Sequence, residues 1–178
     1  MVFTIGHSTH ELDALAALLR DQGVAALADV RASPGSRRLP QFNRGLLERT
    51  LPERGLAYAH LPELGGRRRP APNSRNAGWE VEAFRAYADH MASDEFAHGL
   101  ARLEELASAR PTAVMCAEAL WWRCHRRLVA DALTVHGWEV RHIGPAGKVT
   151  IHELPPFAVV GRDGRISYPR AQGELPMD

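Results

Sequence analysis

The sequence contains only two cysteines among its 178 residues, and this count excludes a disulfide-rich scaffold. It lacks any apolar run of the ~20 residues that a membrane-spanning helix needs, so we expect no membrane partner. The N-terminus has neither the basic start nor the long apolar stretch of a secretory signal peptide. Glycine-rich dinucleotide motifs and Walker loops are also missing, so no cofactor is predicted. Together these absences favour a cytoplasmic protein.

What is present is the composition of an ordinary globular domain. Hydrophobic residues make up 45% of the chain and charged residues 24%, which is typical of folded proteins and not of disordered ones. A chain of this length can bury an adequate core by itself. We therefore predict a single α/β domain over residues 1–178, of which about 157–168 form a C-terminal extension.

Basic residues are concentrated in one part of the chain. The net charge is only +1, but the segment from Arg31 to Arg75 holds ten arginines against three acidic residues. Such a block indicates an anionic partner, either a small molecule such as a phosphate ester or a nucleic acid. The alternative is a solvated loop face without a partner.

Short apolar runs alternate with amphipathic segments. The runs predict five strands, at residues 2–6, 24–30, 56–61, 112–117 and 138–143. The amphipathic segments predict five helices, at residues 8–23, 43–55, 79–91, 94–109 and 124–136. Ser8 and Glu11 form a capping-box pattern that predicts the start of the first helix. Asp163-Gly164 predicts a β-hairpin at about 157–168.

This alternation predicts an α/β fold, a three-layer sandwich around a mostly parallel sheet of about five strands, followed by the C-terminal hairpin. Sheets of this kind bind ligands beyond the carboxyl ends of their strands. Reactive side chains lie at those ends. His7 follows the first strand, Asp29 and Arg31 end the second, Cys116-Ala117-Glu118 ends the fourth, and Cys124-His125-Arg126 opens the last helix.

Several short motifs together resemble a known family. They are Thr4-Ile5-Gly6-His7-Ser8, Asp29-Val30-Arg31 with Pro34-x-Ser36-Arg37, Gln41-Phe42-Asn43, Leu64-Gly65-Gly66, and Cys116-Ala117-Glu118 followed by Cys124-His125-Arg126. Their combination is similar to domain-of-unknown-function family 488, and the likeness extends from Phe3 to about Pro169. The resemblance implies an α/β fold and no particular reaction.

Cys124 is the predicted nucleophile. It lies at the expected start of a helix beside Arg123 and Arg126, and both the helix dipole and nearby cations favour a thiolate. The alternative is a small buried residue in the first turn. Cys116, in contrast, lies within an apolar strand and is expected to remain a neutral buried thiol.

Glu118 and His7 are the predicted acid–base groups. Glu118 follows a buried strand, where removal from water would favour a protonated carboxyl group. The alternative is a structural salt bridge to Arg31 or Arg126. His7 is expected to assist from the same cleft, and its alternative is a hydrogen bond to Glu11.

The predicted substrate-binding residues are Asp29, Arg31, Ser36, Arg37, His125 and Arg126. Asp29 and Arg31 alternate along a strand and therefore point to one side of the sheet. We expect Arg31, Arg37 and Arg126 to surround a phosphate group, helped by the free amides at the start of the last helix.

No metal site is predicted. Cys116 and Cys124 are eight residues apart instead of forming a tight Cys-x₂₋₄-Cys turn. Cys124 and His125 are adjacent and would diverge by ~100° on a helix.

These observations predict an enzyme of undefined reaction class that acts on a phosphate-bearing substrate such as a nucleotide or nucleic acid. The first alternative is a non-catalytic nucleic-acid-binding module that grips phosphates with Arg67, Arg68 and Arg69. The second is a small zinc-binding protein.

Overall fold

A computed structural model describes residues 1–170, so residues 171–178 of the predicted domain lie outside the described part. The central sheet has six strands in the order β3-β2-β4-β1-β5-β6. Their bounds are β1 Val2–Gly6, β2 Ala26–Asp29, β3 Ala57–His60, β4 Thr112–Cys116, β5 Val140–Ile143 and β6 Val149–Ile151. Every pairing among β1 to β5 is parallel, and β6 runs antiparallel to β5 at the edge. A separate hairpin pairs β7, Val159–Val160, with β8, Ile166–Ser167.

Five α-helices cover the two faces of the sheet. They are α1 Leu12–Asp21, α2 Arg44–Thr50, α3 Glu82–His90, α4 Asp94–Ala109 and α5 Arg126–Val135. Apolar residues of α1 and α2 form one core against the sheet, and those of α3, α4 and α5 form a second core on the opposite face. The predicted α/β fold with a C-terminal hairpin is therefore confirmed. Among residues 1–170, no helix has both the length and the apolar character needed to cross a membrane.

The predicted capping box at the start of α1 is wrong. Ser8 has a left-handed backbone with φ of +46°, and α1 begins only at Leu12, after Glu11. The reason lies in tertiary hydrogen bonds, because the amides of His7 and Ser8 donate to the carbonyls of Cys116 and Ala117. The chain beyond β1 is thus held against the exit of β4 and cannot start the helix there.

The end of β1 also approaches the exit of β4 closely. A side chain at Gly6 would overlap the carbonyl of Glu118, so only glycine allows this contact. The register places Gly6 opposite Cys116 and Asp29 opposite Met115, so the carboxyl ends of β1, β2 and β4 lie level.

The chain leaves β2 and β4 toward opposite faces. After β2 it enters α2, which belongs to one core, and after β4 it enters α5, which belongs to the other. Neighbouring parallel strands with divergent exits leave a crevice at their carboxyl ends.

Candidate functional site

A cleft of about 640 Å³ lies at the carboxyl ends of β1, β2 and β4. Six predicted site residues line it, namely His7, Arg31, Ser36, Glu118, Cys124 and His125. Cys116, which sequence reasoning assigned to the core, lines it as well. Asp29, Arg37 and Arg126 are absent from the lining.

The two cysteines and His125 meet at one wall of this cleft. His125 Nδ1 lies 3.6 Å from Cys124 Sγ and 3.9 Å from Cys116 Sγ, and all three donor atoms lie within 4.8 Å of one another. The sequence argument against a metal site assumed that this spacing keeps the two cysteines and His125 apart, and that assumption is wrong. A short 3₁₀ turn at Trp121–Arg123 brings the chain back to β4 before α5 begins, which closes the eight-residue gap.

Cys124 lies two residues before α5, because the helix begins at Arg126 and His125 is its N-cap. Cys124 is therefore not part of the first helical turn, as the sequence had predicted, and the side chains that contact its thiol affect it more directly than the helix does. Arg126 Nε donates to Cys124 Sγ over 3.4 Å, and His125 contacts the same sulfur atom.

Arg126 is not a substrate-binding residue in this arrangement, which corrects the sequence prediction. Its side chain is fully buried, and its NH2 group donates to the carbonyl oxygen of Glu118 over 2.6 Å. Because the same guanidinium reaches Cys124, Arg126 clamps the two ends of the 117–123 loop together beneath the cleft.

The surroundings of the two thiols shift their pKa values in opposite directions. A hydrogen bond from the Cys116 thiol holds the pKa of Cys124 well below its usual range, and His125 and Arg126 add to this effect against the opposing effect of burial. The same hydrogen bond, followed by burial, raises the pKa of Cys116. The hydrogen bond to Cys124 and burial both favour the neutral form of the Cys116 thiol, whose neutrality stays a prediction.

Asp29 holds Arg31 in place beneath the cleft and does not face a ligand. It is fully buried, and its two carboxylate oxygens accept from Arg31 Nε at 2.8 Å and NH2 at 2.6 Å. The hydroxyl of Tyr58 also donates to Asp29 over 2.7 Å. Arg31 NH2 further donates to the carbonyl of Phe42, and NH1 contacts His7 Nε2 at 3.1 Å. Arg31 therefore presents only part of its guanidinium to the cleft.

His7 orients Arg31 and is not a free base. Burial, followed by the charge of Arg31, lowers the pKa of His7 to about 4, so the imidazole is neutral at pH 7. Its Nδ1 donates to the carbonyl of Ser8 over 3.0 Å, which leaves Nε2 to accept from Arg31. Stacking on Phe42 at 4.2 Å fixes the ring. We therefore assign His7 as a positioning residue.

Glu118 reaches the cleft with an exposed side chain, so the predicted removal from water does not occur. One carboxylate oxygen accepts from the amide of Leu120 over 3.1 Å. The alternative role, a salt bridge to Arg31 or Arg126, is not formed either, because the Arg126 guanidinium donates to the backbone carbonyl of Glu118 and Arg31 pairs with Asp29.

The exposed cations of the cleft differ from those predicted. Arg67 and Arg123 line it, whereas Arg37 is exposed and lies outside it. Ser36 lines the cleft, but its hydroxyl is engaged by the amides of the two residues at 38 and 39. The sequence signal that could have identified Arg123 as a cleft residue was its position directly before Cys124.

The Leu64-Gly65-Gly66 motif packs against the imidazole of His125. A side chain at Gly66 would overlap the ring of His125, so glycine is required for this approach. The ring is held from the other side as well, since His125 Nε2 donates to the carbonyl of Val30 over 3.3 Å.

Comparison with known proteins identifies the family of the chain. A search of curated proteins and a search of solved structures each found no match. A family model described as domain of unknown function DUF488 matches residues 11–133, which include every strand end of the cleft except that of β1. Since the match covers more than half of the 178 residues, the chain belongs to the DUF488 family.

Proposed function

We propose that this protein is an enzyme that acts on a phosphate-bearing substrate, a nucleotide or nucleic acid, with Cys124 as its nucleophile. The observation that carries the proposal is the pair of contacts on Cys124 Sγ, from His125 Nδ1 at 3.6 Å and from Arg126 Nε at 3.4 Å, at the wall of the cleft. A thiol between an imidazole and a guanidinium has the arrangement of an activated nucleophile.

The charges around the cleft favour an anionic substrate. Arg67 and Arg123 are exposed there, and Arg31 contributes the rest of its guanidinium. Among residues 1–170, Glu118 is the only acidic residue of the lining. Two exposed arginines at an open cleft suit a phosphate group, since a guanidinium binds it through paired hydrogen bonds.

In the proposed reaction, Cys124 Sγ forms a bond to the electrophilic centre of the substrate as the bond to the leaving group breaks. The leaving group takes its proton from a water molecule at the open side of the cleft. Water, deprotonated by the carboxylate of Glu118, then cleaves the bond to sulfur and restores the thiolate.

A non-catalytic nucleic-acid-binding module is the weaker interpretation. Arg68, the central residue of the proposed phosphate grip, is paired with Glu95 at 2.9 Å and also donates to the carbonyls of Gly65 and Glu63. Only Arg67 of the three loop arginines lines the cleft. The loop therefore offers one cation to a ligand in the cleft and not a continuous basic strip.

Alkylation of metal-free protein by iodoacetamide at neutral pH tests the nucleophile. We expect Cys124 to be labelled and Cys116 to be spared in peptide mapping by mass spectrometry, and Cys124→Ser to abolish labelling while Cys116→Ser retains it. AMP should slow the reaction, and Arg123→Gln should weaken this protection by about tenfold. An inert Cys124, or faster labelling of Cys116, would contradict the assignment.

Arg110→Gln provides the matched control for the protection experiment, because Arg110 follows α4 and does not line the cleft. Its protection by AMP should equal that of the wild type. If neither AMP, inorganic phosphate nor a short single-stranded DNA slows alkylation, the phosphate-bearing substrate class is wrong even where the nucleophile is right.

A further inference from the structure

We propose that Cys116 Sγ, Cys124 Sγ and His125 Nδ1 form a binding site for one Zn²⁺ ion, with a fourth position open to the cleft. A tetrahedral zinc ion with Zn–S bonds of about 2.3 Å and Zn–N bonds of about 2.05 Å sets its sulfur and nitrogen ligands about 3.6 Å apart. The observed Nδ1 to Sγ distances are 3.6 Å for Cys124 and 3.9 Å for Cys116. The three atoms thus require little movement to surround the ion.

The surroundings of His125 prepare Nδ1 as the ligand atom. Its other ring nitrogen, Nε2, lies 3.3 Å from the carbonyl oxygen of Val30, which can only accept a hydrogen bond. Nε2 therefore carries the proton, and the lone pair of Nδ1 faces the two sulfur atoms. Metal-bound histidines are commonly oriented by such a hydrogen bond from the remote nitrogen.

The cysteine ligands are also supported from outside the cluster. Arg126 Nε donates to Cys124 Sγ over 3.4 Å, which stabilises negative charge on that sulfur. Gly66 closes the opposite side, where a side chain would displace the His125 ring. Cys116 is held rigidly because it is the last residue of β4, in register with Gly6 of β1.

The donor set selects the metal. Two thiolates and one imidazole favour Zn²⁺ over Mg²⁺ or Ca²⁺, which prefer oxygen ligands. Three protein ligands with an open fourth position distinguish a reactive or exchangeable zinc site from a closed structural one. All three residues line the cleft, so the open position faces any substrate bound there.

Zinc binding weakens Cys124 as a nucleophile, because coordination draws electron density away from its sulfur atom. Bound Zn²⁺ should therefore act as a reversible inhibitor of the chemistry proposed above. This consequence rests on the proposed function, whereas the site itself does not.

Titration of chelator-treated protein with Zn²⁺, in competition with a chromophoric chelator, tests the site. We expect about one equivalent per chain, and a loss of affinity of about 100-fold or more in Cys116→Ser, Cys124→Ser and His125→Gln. His98→Gln is the control, because His98 is exposed on α4 and does not belong to the cluster. Co²⁺ added to the wild type should give the absorption bands of a tetrahedral thiolate site, a readout that needs no variant to fold.

The zinc inference and the proposed function fail in different ways. Absence of zinc uptake, or uptake that is unchanged in all three variants, overturns the zinc site whatever the reactivity of Cys124. Zinc uptake with an inert metal-free Cys124 sustains the site and overturns the nucleophile. If both hold, Zn²⁺ should block alkylation of Cys124 in the wild type and lose this protection in Cys116→Ser.

Discussion

Acid should destabilise this protein through His142, which lies in a buried chain of polar side chains. His142 is 1% exposed, and its Nδ1 contacts the hydroxyl of Thr4 at 2.7 Å while Nε2 contacts His152 Nδ1 at 3.0 Å. His152 continues to Asp131 at 2.7 Å, and the Tyr168 hydroxyl donates to the other oxygen of Asp131. Burial, then the charges of His152, Arg126 and Arg127, lower the pKa of His142 to about 3.

The sign and size of the effect follow from linkage. Above pH 6.5 His142 is neutral in both the folded and the unfolded chain and contributes nothing to the pH dependence of stability. As the pH falls below about 6.5, His142 takes up a proton in the unfolded chain but stays neutral in the folded protein, so the free energy of unfolding decreases. The loss is about 1.4 kcal/mol per pH unit, or about 2.7 kcal/mol at pH 4.5. This is a large share of the ~5–15 kcal/mol by which domains are stable.

Urea unfolding of wild type and His142→Gln at several pH values between 7.5 and about 4.5 measures this term. Glutamine retains a donor and an acceptor for Thr4 and His152 but cannot take up the proton. Its free energy of unfolding should therefore fall less steeply with pH, by about 1.4 kcal/mol per unit. The contribution of His7, with its pKa of about 4, remains in both proteins. Exposed His98→Gln is the control, and equal slopes in wild type and His142→Gln would refute the reasoning.

Two further substitutions test the packing of the site. Gly66→Ala should displace the imidazole beside Cys124, slow the alkylation of Cys124 by about tenfold and cost about 1–3 kcal/mol in stability. Gly45→Ala in α2, where a side chain meets only open space, should leave the alkylation rate and the stability unchanged or slightly improve stability. Equal behaviour of the two variants would argue against a tight contact at Gly66. Asp29→Asn should destabilise the protein by about 3 kcal/mol in urea unfolding, because it leaves the largely buried Arg31 without its carboxylate, and a change below about 0.5 kcal/mol would contradict this role.

Local patterns predicted the elements whose reasons are local. Helix α4, Asp94–Ala109, was predicted with the bounds that the structure has, because its amphipathic period and Pro111 after it both act within one segment. Strand β4 was predicted one residue too long, at 112–117, from apolar residues that the structure covers on both faces. Edge strand β6 was missed, since its half-buried or exposed residues carry no comparable pattern.

Patterns failed where a residue's role is set by distant partners. Ser8 reads as a helix cap but is held by the exit of β4, more than one hundred residues away in the chain. The sequence predicts Arg126 as a phosphate ligand, but its side chain is buried and donates to the carbonyl of Glu118 in the loop after β4.

By itself, the sequence determined the alternation of strands and helices, and with it a mostly parallel sheet whose reactive side chains collect at one edge. Periodicity and turn residues act over a few positions, so they can be read directly. Only the tertiary structure decided which of those side chains meet. Insertion of β4 between β1 and β2 brings Cys116 to the centre of the edge, and the turn before α5 returns Cys124 and His125 to it. Such contacts depend on strand order and loop path, which no local pattern encodes.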